Sequence, residues 1–175
     1  MKRIIGLGFI LMVFCVISAA ALSLVYLLTK PTIDLYSKRT FENSLREVIP
    51  TADSFREINR VGMVFYQGMV SGTVTGAAFS LAPQGYSGKI EMLIGVDLNG
   101  KVSGIKILNQ RETPGLGANV IKSNFLKQFI QKSLLDPIEP KKDIDAITGA
   151  TITTRAVCRG VKSALDNYQM VRDKK

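Results

Sequence analysis

No histidine occurs in the 175 residues, so the commonest general base and the commonest metal ligand are both missing. Tryptophan is absent as well, and aromatic residues make up only 7% of the chain. A stacking platform for nucleic-acid bases is therefore poorly supplied. The only two cysteines are Cys15, in an apolar N-terminal run, and Cys158, far away in the more polar part. They fall on different sides of a water boundary and do not pair, which excludes a disulfide framework and a cysteine metal site. Cys158 lies in a helical pattern and reads as a half-buried small hydrophobe. The Asp and Glu residues are scattered rather than gathered into a metal-binding cluster.

The charge that is present is mostly positive. The net charge of +9 is spread along the chain and not packed into one tract. Spread charge suits an anionic lipid surface or an acidic partner, and it does not make a nucleic-acid footprint.

Charge is missing altogether from Ile4 to Leu28, a run of 25 residues preceded by Lys2 and Arg3. This is long enough to cross a bilayer with some tilt. Ser18, Ala19, Ala20 and Ala21 offer small residues of the kind a signal peptidase cleaves. The apolar run continues past them through Leu28, beyond the 7–15 residues of a signal core, so an uncleaved anchor is expected. Bulky Phe14 before Cys15 excludes a lipoprotein signal. Basic residues flank both ends of the run, with Lys30, Lys38 and Arg39 on the far side. The charge rule for orientation is thus nearly balanced. The short N-terminal tail is the easier end to retain in the cytoplasm, which puts the rest of the chain outside.

Beyond the anchor (1–30), residues 31–49 read as a helix that Pro31 starts and Pro50 stops, with Leu35, Phe41, Leu45 and Val48 as its stripe. It forms the main part of a helical connector over 31–60. Strand-like stretches follow at Met63–Tyr66 and Thr73–Phe79, broken by Gly68, Gly72 and Gly76. Lys89–Val96 and Val102–Leu108 read as strands joined by the turn Asp97-Leu98-Asn99-Gly100. Residues 117–134 read as one or two helices with Phe125, Phe129 and Ile130 inward. Thr151–Tyr168 reads as a helix, because Val157, Val161, Leu165 and Tyr168 recur at helical spacing. The class is α+β, one N-terminal transmembrane helix followed by an antiparallel sheet with packed helices.

Three segments stand out chemically. Asp145-Ala146-Ile147-Thr148-Gly149-Ala150-Thr151, followed by Ile152-Thr153-Thr154, opens the last helix. Helix N-termini present free N–H groups and favour phosphate. Gly149 and Ala150 keep the backbone approachable, and Lys141, Lys142 and Arg155 add positive charge nearby. The same residues also suit plain helix capping by Thr148 or Thr151. The second segment, Glu112-Thr113-Pro114-Gly115-Leu116-Gly117, lies between a strand and a helix and forms a tight turn with exposed backbone. It serves either as a simple connection or as a surface against a flat heterocycle, with Leu116 as the apolar contact. The third, Gly85-Tyr86-Ser87-Gly88, lines a ligand site or makes a turn.

Taken together, in this order and spacing and behind one N-terminal span, these segments resemble the FMN-binding domain of the G subunit of Rnf electron-transport complexes. The C subunit of the sodium-translocating NADH:quinone reductase is similar in the same pieces. The resemblance covers essentially the whole chain, and the compact length fits the Rnf protein better. It implies an FMN-binding domain over 61–175. It also implies that a separate flavin transferase reads the motif and joins the phosphate of FMN, by a phosphoester, to the last hydroxyl. Carried over residue by residue, Thr151 is the acceptor, and Asp145, Thr148, Gly149 and Ala150 form the recognition motif. Thr154 is expected to hydrogen-bond the phosphate. Glu112, Thr113, Gly115 and Leu116 are expected to pack on the flavin, and Gly85 and Tyr86 to border the same pocket. This chain shows no departure within the motif.

The resemblance implies a redox carrier rather than a stand-alone enzyme, with no catalytic side chain and no metal. The flavin does the redox chemistry and the protein positions and tunes it. The partners implied are other membrane and peripheral subunits of a complex that couples electron flow between ferredoxin and NAD to cation movement. The location implied is a bacterial or archaeal inner membrane, with the domain on the periplasmic or extracytoplasmic side. With no charge inside its span, the chain brings no ion pathway of its own. The competing reading is a non-redox assembly or ligand-binding subunit of a membrane complex, which would not need the hydroxyl of Thr151.

Overall fold

A computed structural model describes residues 2–60 and 62–173. The chain divides into two compact units, Met1–Glu42 and Asn43–Lys175.

The first element, α1 (Lys2–Val48), is one helix of 47 residues with Pro31 inside it. Pro31 therefore does not start a new helix. A proline removes one ladder donor, and a long helix with intact turns on both sides tolerates that loss. Thr29 donates its hydroxyl to the carbonyl of Val25 at 2.8 Å just before the proline. Large apolar side chains are exposed along α1 from Leu7 to Leu28, and the helix is long and apolar enough to cross a membrane.

The second unit begins with the last turns of α1, earlier than residue 61. Five strands follow, β1 (Ser54–Arg60), β2 (Met63–Val70), β3 (Thr73–Leu81), β4 (Glu91–Asp97) and β5 (Val102–Asn109). They form one antiparallel meander in chain order. β1 lies inside the stretch expected to be a connector. It is an edge strand with no fully buried residue, so its sequence shows no apolar alternation. Gly68 and Gly76 do not break strands either. They sit opposite each other in the β2–β3 pair, and only Ser71 and Gly72 make the turn, both at positive φ. The Asp97–Gly100 turn forms as expected. Asp97 Oδ1 accepts the N–H groups of Asn99 and Lys101, both at 2.9 Å, and Gly100 takes φ +76°.

β4 is buried from Met92 through Val96 because both faces of the sheet are covered. Met92, Ile94 and Val96 belong to the same core as Val157, Val161 and Leu165 of α3 (Thr151–Asp173). The alternate residue Gly95 faces the end of α1, and a Cβ there would strike the carbonyl of Val48. A Cβ on Gly104 of β5 would lie 2.5 Å from Val48 Cα. Ser103 adds a 2.6 Å hydrogen bond to the Val48 carbonyl, and Lys106 pairs with Glu47 at 2.5 Å. These contacts hold Glu47 and Val48 against the sheet.

The helices expected over 117–134 shrink to a one-turn α2 (Ser123–Leu126) flanked by 3-10 turns at Gly117–Ile121 and Lys127–Phe129. Extended backbone at Lys122 and Ile130 interrupts any longer helix. Phe125 and Phe129 still point into the core and meet edge to face at 5.4 Å. Cys158 is fully buried rather than half-buried, and burial pushes its thiol up to about 12.

Candidate functional site

The three segments singled out in the sequence meet at the N-terminus of α3. They surround a cavity of about 510 Å³ lined by Tyr86, Glu112, Thr113, Leu116, Gly149 and Thr151, with Gly117, Ala150, Ile152 and Thr153 completing its wall. A larger cavity of about 540 Å³ lies between β5 and residues 121–130, and it shares none of these residues.

Each segment is shaped by its own backbone. The first closes as a tight turn, with the Gly85 N–H donating to the Gly88 carbonyl at 2.8 Å. In the second, the Thr113 carbonyl accepts the N–H groups of Leu116 at 3.2 Å and Ala118 at 3.1 Å. Gly115 supplies the positive φ of +77° that this reversal needs, and the Asn119 side-chain amide donates to its carbonyl at 2.8 Å. In the third, Gly149 takes φ +74°, and the Ala150 N–H donates to the Ile147 carbonyl at 2.9 Å. Positive φ disfavours side chains with a Cβ, so this turn is built for glycine. Thr151 is the first residue of α3 and is half-buried on the cavity wall. The N–H groups of a helix's first turn lack intrahelical partners and favour an anion.

Glu112 ties the three segments together. Its side chain is buried, with 5% of its surface exposed. Oε1 accepts the Ser87 N–H at 2.9 Å and Oε2 accepts the Tyr86 N–H at 3.4 Å. The Thr153 hydroxyl donates to Oε2 at 2.5 Å. The Glu112 N–H itself donates to Gln110 Oε1 at 2.6 Å. Around the mouth, Tyr86, Leu116 and Ile152 are exposed, which gives the cavity an apolar rim.

Several expected positions fall away from the wall. Gly85 is buried behind it, where a Cβ would come within 2.6 Å of Glu112 Oε1. Gly115, Asp145 and Thr148 do not line the cavity. Thr154 is fully buried. It donates its hydroxyl hydrogen to the Ala150 carbonyl at 3.0 Å and accepts the Ile147 N–H at 3.2 Å. It holds the turn before α3 in shape and is not placed to meet a phosphate in the cavity. Lys141, Lys142 and Arg155 do not line the cavity, and Lys142 is engaged with Glu139 at 2.6 Å. Gly117 lies at the end of the loop expected to face the flavin, whereas sequence reasoning missed Ile152 and Thr153 as wall residues. The helical phase gave a usable signal for Thr153, which lies two residues past Thr151 on the side that turns inward.

The comparisons agree with this layout. The FMN-binding domain family matches residues 85–166, a range that contains all three segments. The RnfG N-terminal region matches residues 1–48, a range that contains α1. The chain is 36% identical over 162 residues to the G subunit of the proton-translocating ferredoxin:NAD(+) oxidoreductase complex of Clostridium ljungdahlii, covering 89% of this chain and 86% of that one. It is 32% identical over 193 residues to the G subunit of the Na(+)-translocating ferredoxin:NAD(+) oxidoreductase complex of Acetobacterium woodii, covering 96% and 93%. Among solved structures, NqrC of Shewanella oneidensis is similar over 68% of this chain and 66% of that chain, with 20% identity and a TM-score of 0.49. With a span-length apolar helix, an FMN-binding domain and relatives of this identity along almost its whole length, the chain belongs to the G-subunit family of membrane-bound, ion-translocating ferredoxin:NAD(+) oxidoreductase complexes.

Proposed function

We propose that this protein carries FMN covalently on Thr151 and relays electrons inside a membrane redox complex, with its flavin domain on the extracytoplasmic side. The observation that carries the reading is the position of Thr151. It stands at the N-terminus of a 23-residue helix and on the wall of a cavity of about 510 Å³. That size lies inside the ~300–1,000 Å³ range of small-molecule sites.

The residues present suit FMN. The helix N-terminus favours a phosphate, and Thr151 supplies a hydroxyl for a phosphoester. Leu116, Tyr86 and Ile152 offer apolar surface to a ring system. Glycine at 149 and at 117 lets the wall side chains Leu116, Glu112 and Thr153 close up against the backbone, since a Cβ at either would meet them at 2.8–2.9 Å. When bound, the isoalloxazine supplies one- or two-electron redox chemistry. The chain's own residues bind and orient it, and Leu116 shields it from water. Asp145 and Thr148 stand outside the cavity on the approach to Thr151, where a flavin transferase can read them. Relatives named as subunits of a ferredoxin:NAD(+) oxidoreductase complex support partner subunits as the donor and acceptor.

The test is expression with and without a flavin transferase, followed by a denaturing gel viewed under ultraviolet light. A fluorescent band is expected only with the transferase. Thr151→Val loses it, and Thr151→Ser, which keeps an acceptor hydroxyl, retains it. A band that survives in Thr151→Val removes the assignment to Thr151. The absence of any band, with a transferase active on another substrate, returns the protein to an anchored assembly or ligand-binding subunit.

A further inference from the structure

We propose that Glu112 is a positioning residue whose carboxylate assembles the FMN cavity before the flavin arrives and then acts on it as a fixed negative charge. The second half rests on the reading that FMN occupies this cavity; the first does not.

Three segments of chain converge on one side chain. Tyr86 and Ser87 precede Glu112 by 26 and 25 residues, and Thr153 follows it by 41. Each donates to the carboxylate, and each of the three bonds closes a loop whose entropy folding must overcome. A buried carboxylate without donors is costly, so the three elements are held together by the need to satisfy it. It accepts hydrogen bonds from three donors, two backbone N–H groups and one hydroxyl.

Glycine spacing shows the same fit from the other side. A Cβ on Gly85 would come within 2.6 Å of Oε1, and one on Gly117 within 2.8 Å of Oε2. Both glycines leave room for the oxygens themselves, so the backbone of two loops is shaped around this carboxylate. Its effect on the rim is direct. Tyr86, which is 68% exposed at the mouth, has its own N–H on Oε2. Thr153, on the same oxygen, is two residues from Thr151 in the first turn of α3.

Glu112 also lines the cavity, so a flavin seated there meets its charge in a poorly hydrated setting. An electron added next to a fixed negative charge is disfavoured. Reduction is therefore harder than it would be beside a neutral side chain. Glutamine keeps the shape. Its oxygen can take the Ser87 N–H and its amide can donate to a reoriented Thr153 hydroxyl, with only the Tyr86 N–H bond lost.

Two measurements on the full-length chain separate the parts. In flavin-free protein, hydrogen exchange at the Tyr86 and Ser87 amides should be at least tenfold faster in Glu112→Ala than in wild type, with Glu112→Gln in between. Unchanged exchange overturns the positioning role, and this experiment contains no flavin to confuse the result. In flavin-loaded protein, Glu112→Gln should raise the midpoint potential by at least a tenfold shift in the reduction equilibrium, about 30 mV for a two-electron couple. Thr153→Val, which loosens the cavity but keeps the carboxylate, should move it much less. A potential unchanged in Glu112→Gln, or raised equally in both variants, overturns the electrostatic role. A wild-type chain that never gains a fluorescent band sinks the flavin reading and leaves the exchange result standing.

Discussion

Leu116 occupies the space that a side chain on Gly149 would need: a Cβ built there lies 2.9 Å from Leu116 Cδ2. The two residues come from loops 33 positions apart and form one corner of the cavity wall. The contact joins the segment that leads into Thr151 to the segment that carries Glu112 and Thr113.

Gly149→Ala should therefore lose stability mainly through its backbone, with a smaller loss from displacing the half-exposed tip of Leu116. The φ of +74° costs a residue with a Cβ about 1–2 kcal/mol, and Leu116 must move. Flavin loading on the ultraviolet gel should fall with it. Leu116→Ala in the same chain removes the collision and should restore part of the loss, leaving the backbone cost. A melting series of the two single variants and the double variant reads the coupling. Purely additive effects would show that the contact carries no energy.

Gly104→Ala tests the seat of the α1 end on the sheet. The new methyl would meet Val48 backbone atoms at 2.5–2.9 Å, and backbone cannot swing aside as a flexible side chain can. Overpacking of this kind costs about 1–3 kcal/mol. Denaturant unfolding of the full-length protein in detergent should show a lower midpoint. Gly88→Ala, whose added Cβ meets nothing nearer than 3.8 Å, should stay within about 0.5 kcal/mol of wild type. Equal midpoints for both variants would mean that the Val48 seat does not contribute to stability.

Acid should weaken the loop that leads toward Thr151. Burial alone would raise the Asp143 carboxyl, but the Glu139 N–H, the Lys132 ammonium and the Ile138 N–H together hold it below its usual 3.8. Asp136 is also lowered, first by the Ser133 N–H and then by its hydroxyl. A carboxyl with a depressed folded pKa binds fewer protons folded than unfolded. Its contribution is fully present above the unfolded value and is lost as pH falls through the folded one. Stability should thus drop as the pH is taken below about 3.8. Asp143→Asn should be less stable at neutral pH and flatter on acidification. An acid profile identical to wild type would exclude Asp143 as a contributor.

By itself the sequence determined what depends on neighbours along the chain. The uncharged run from Ile4 to Leu28 set the span, because chain length and composition alone decide whether a helix can cross a bilayer. The 3.6-residue recurrence of Val157, Val161 and Leu165 set α3, and the Asp97–Gly100 turn set the β4–β5 hairpin. The start of α3 at Thr151 was legible for the same reason, being a local pattern of turn residues followed by helical spacing. Tertiary structure decided what depends on distant contacts. β1 exists only because β2 offers it a partner. The one or two helices expected over 117–134 give way to short turns that carry Phe125 and Phe129 into the core. Thr154 turns inward to bond the Ala150 carbonyl instead of facing the cavity. Glu112 becomes the hub of the site because residues 25, 26 and 41 positions away bring their donors to it. A buried carboxylate must be satisfied wherever its donors come from, and no local pattern in a sequence says which distant loops will supply them.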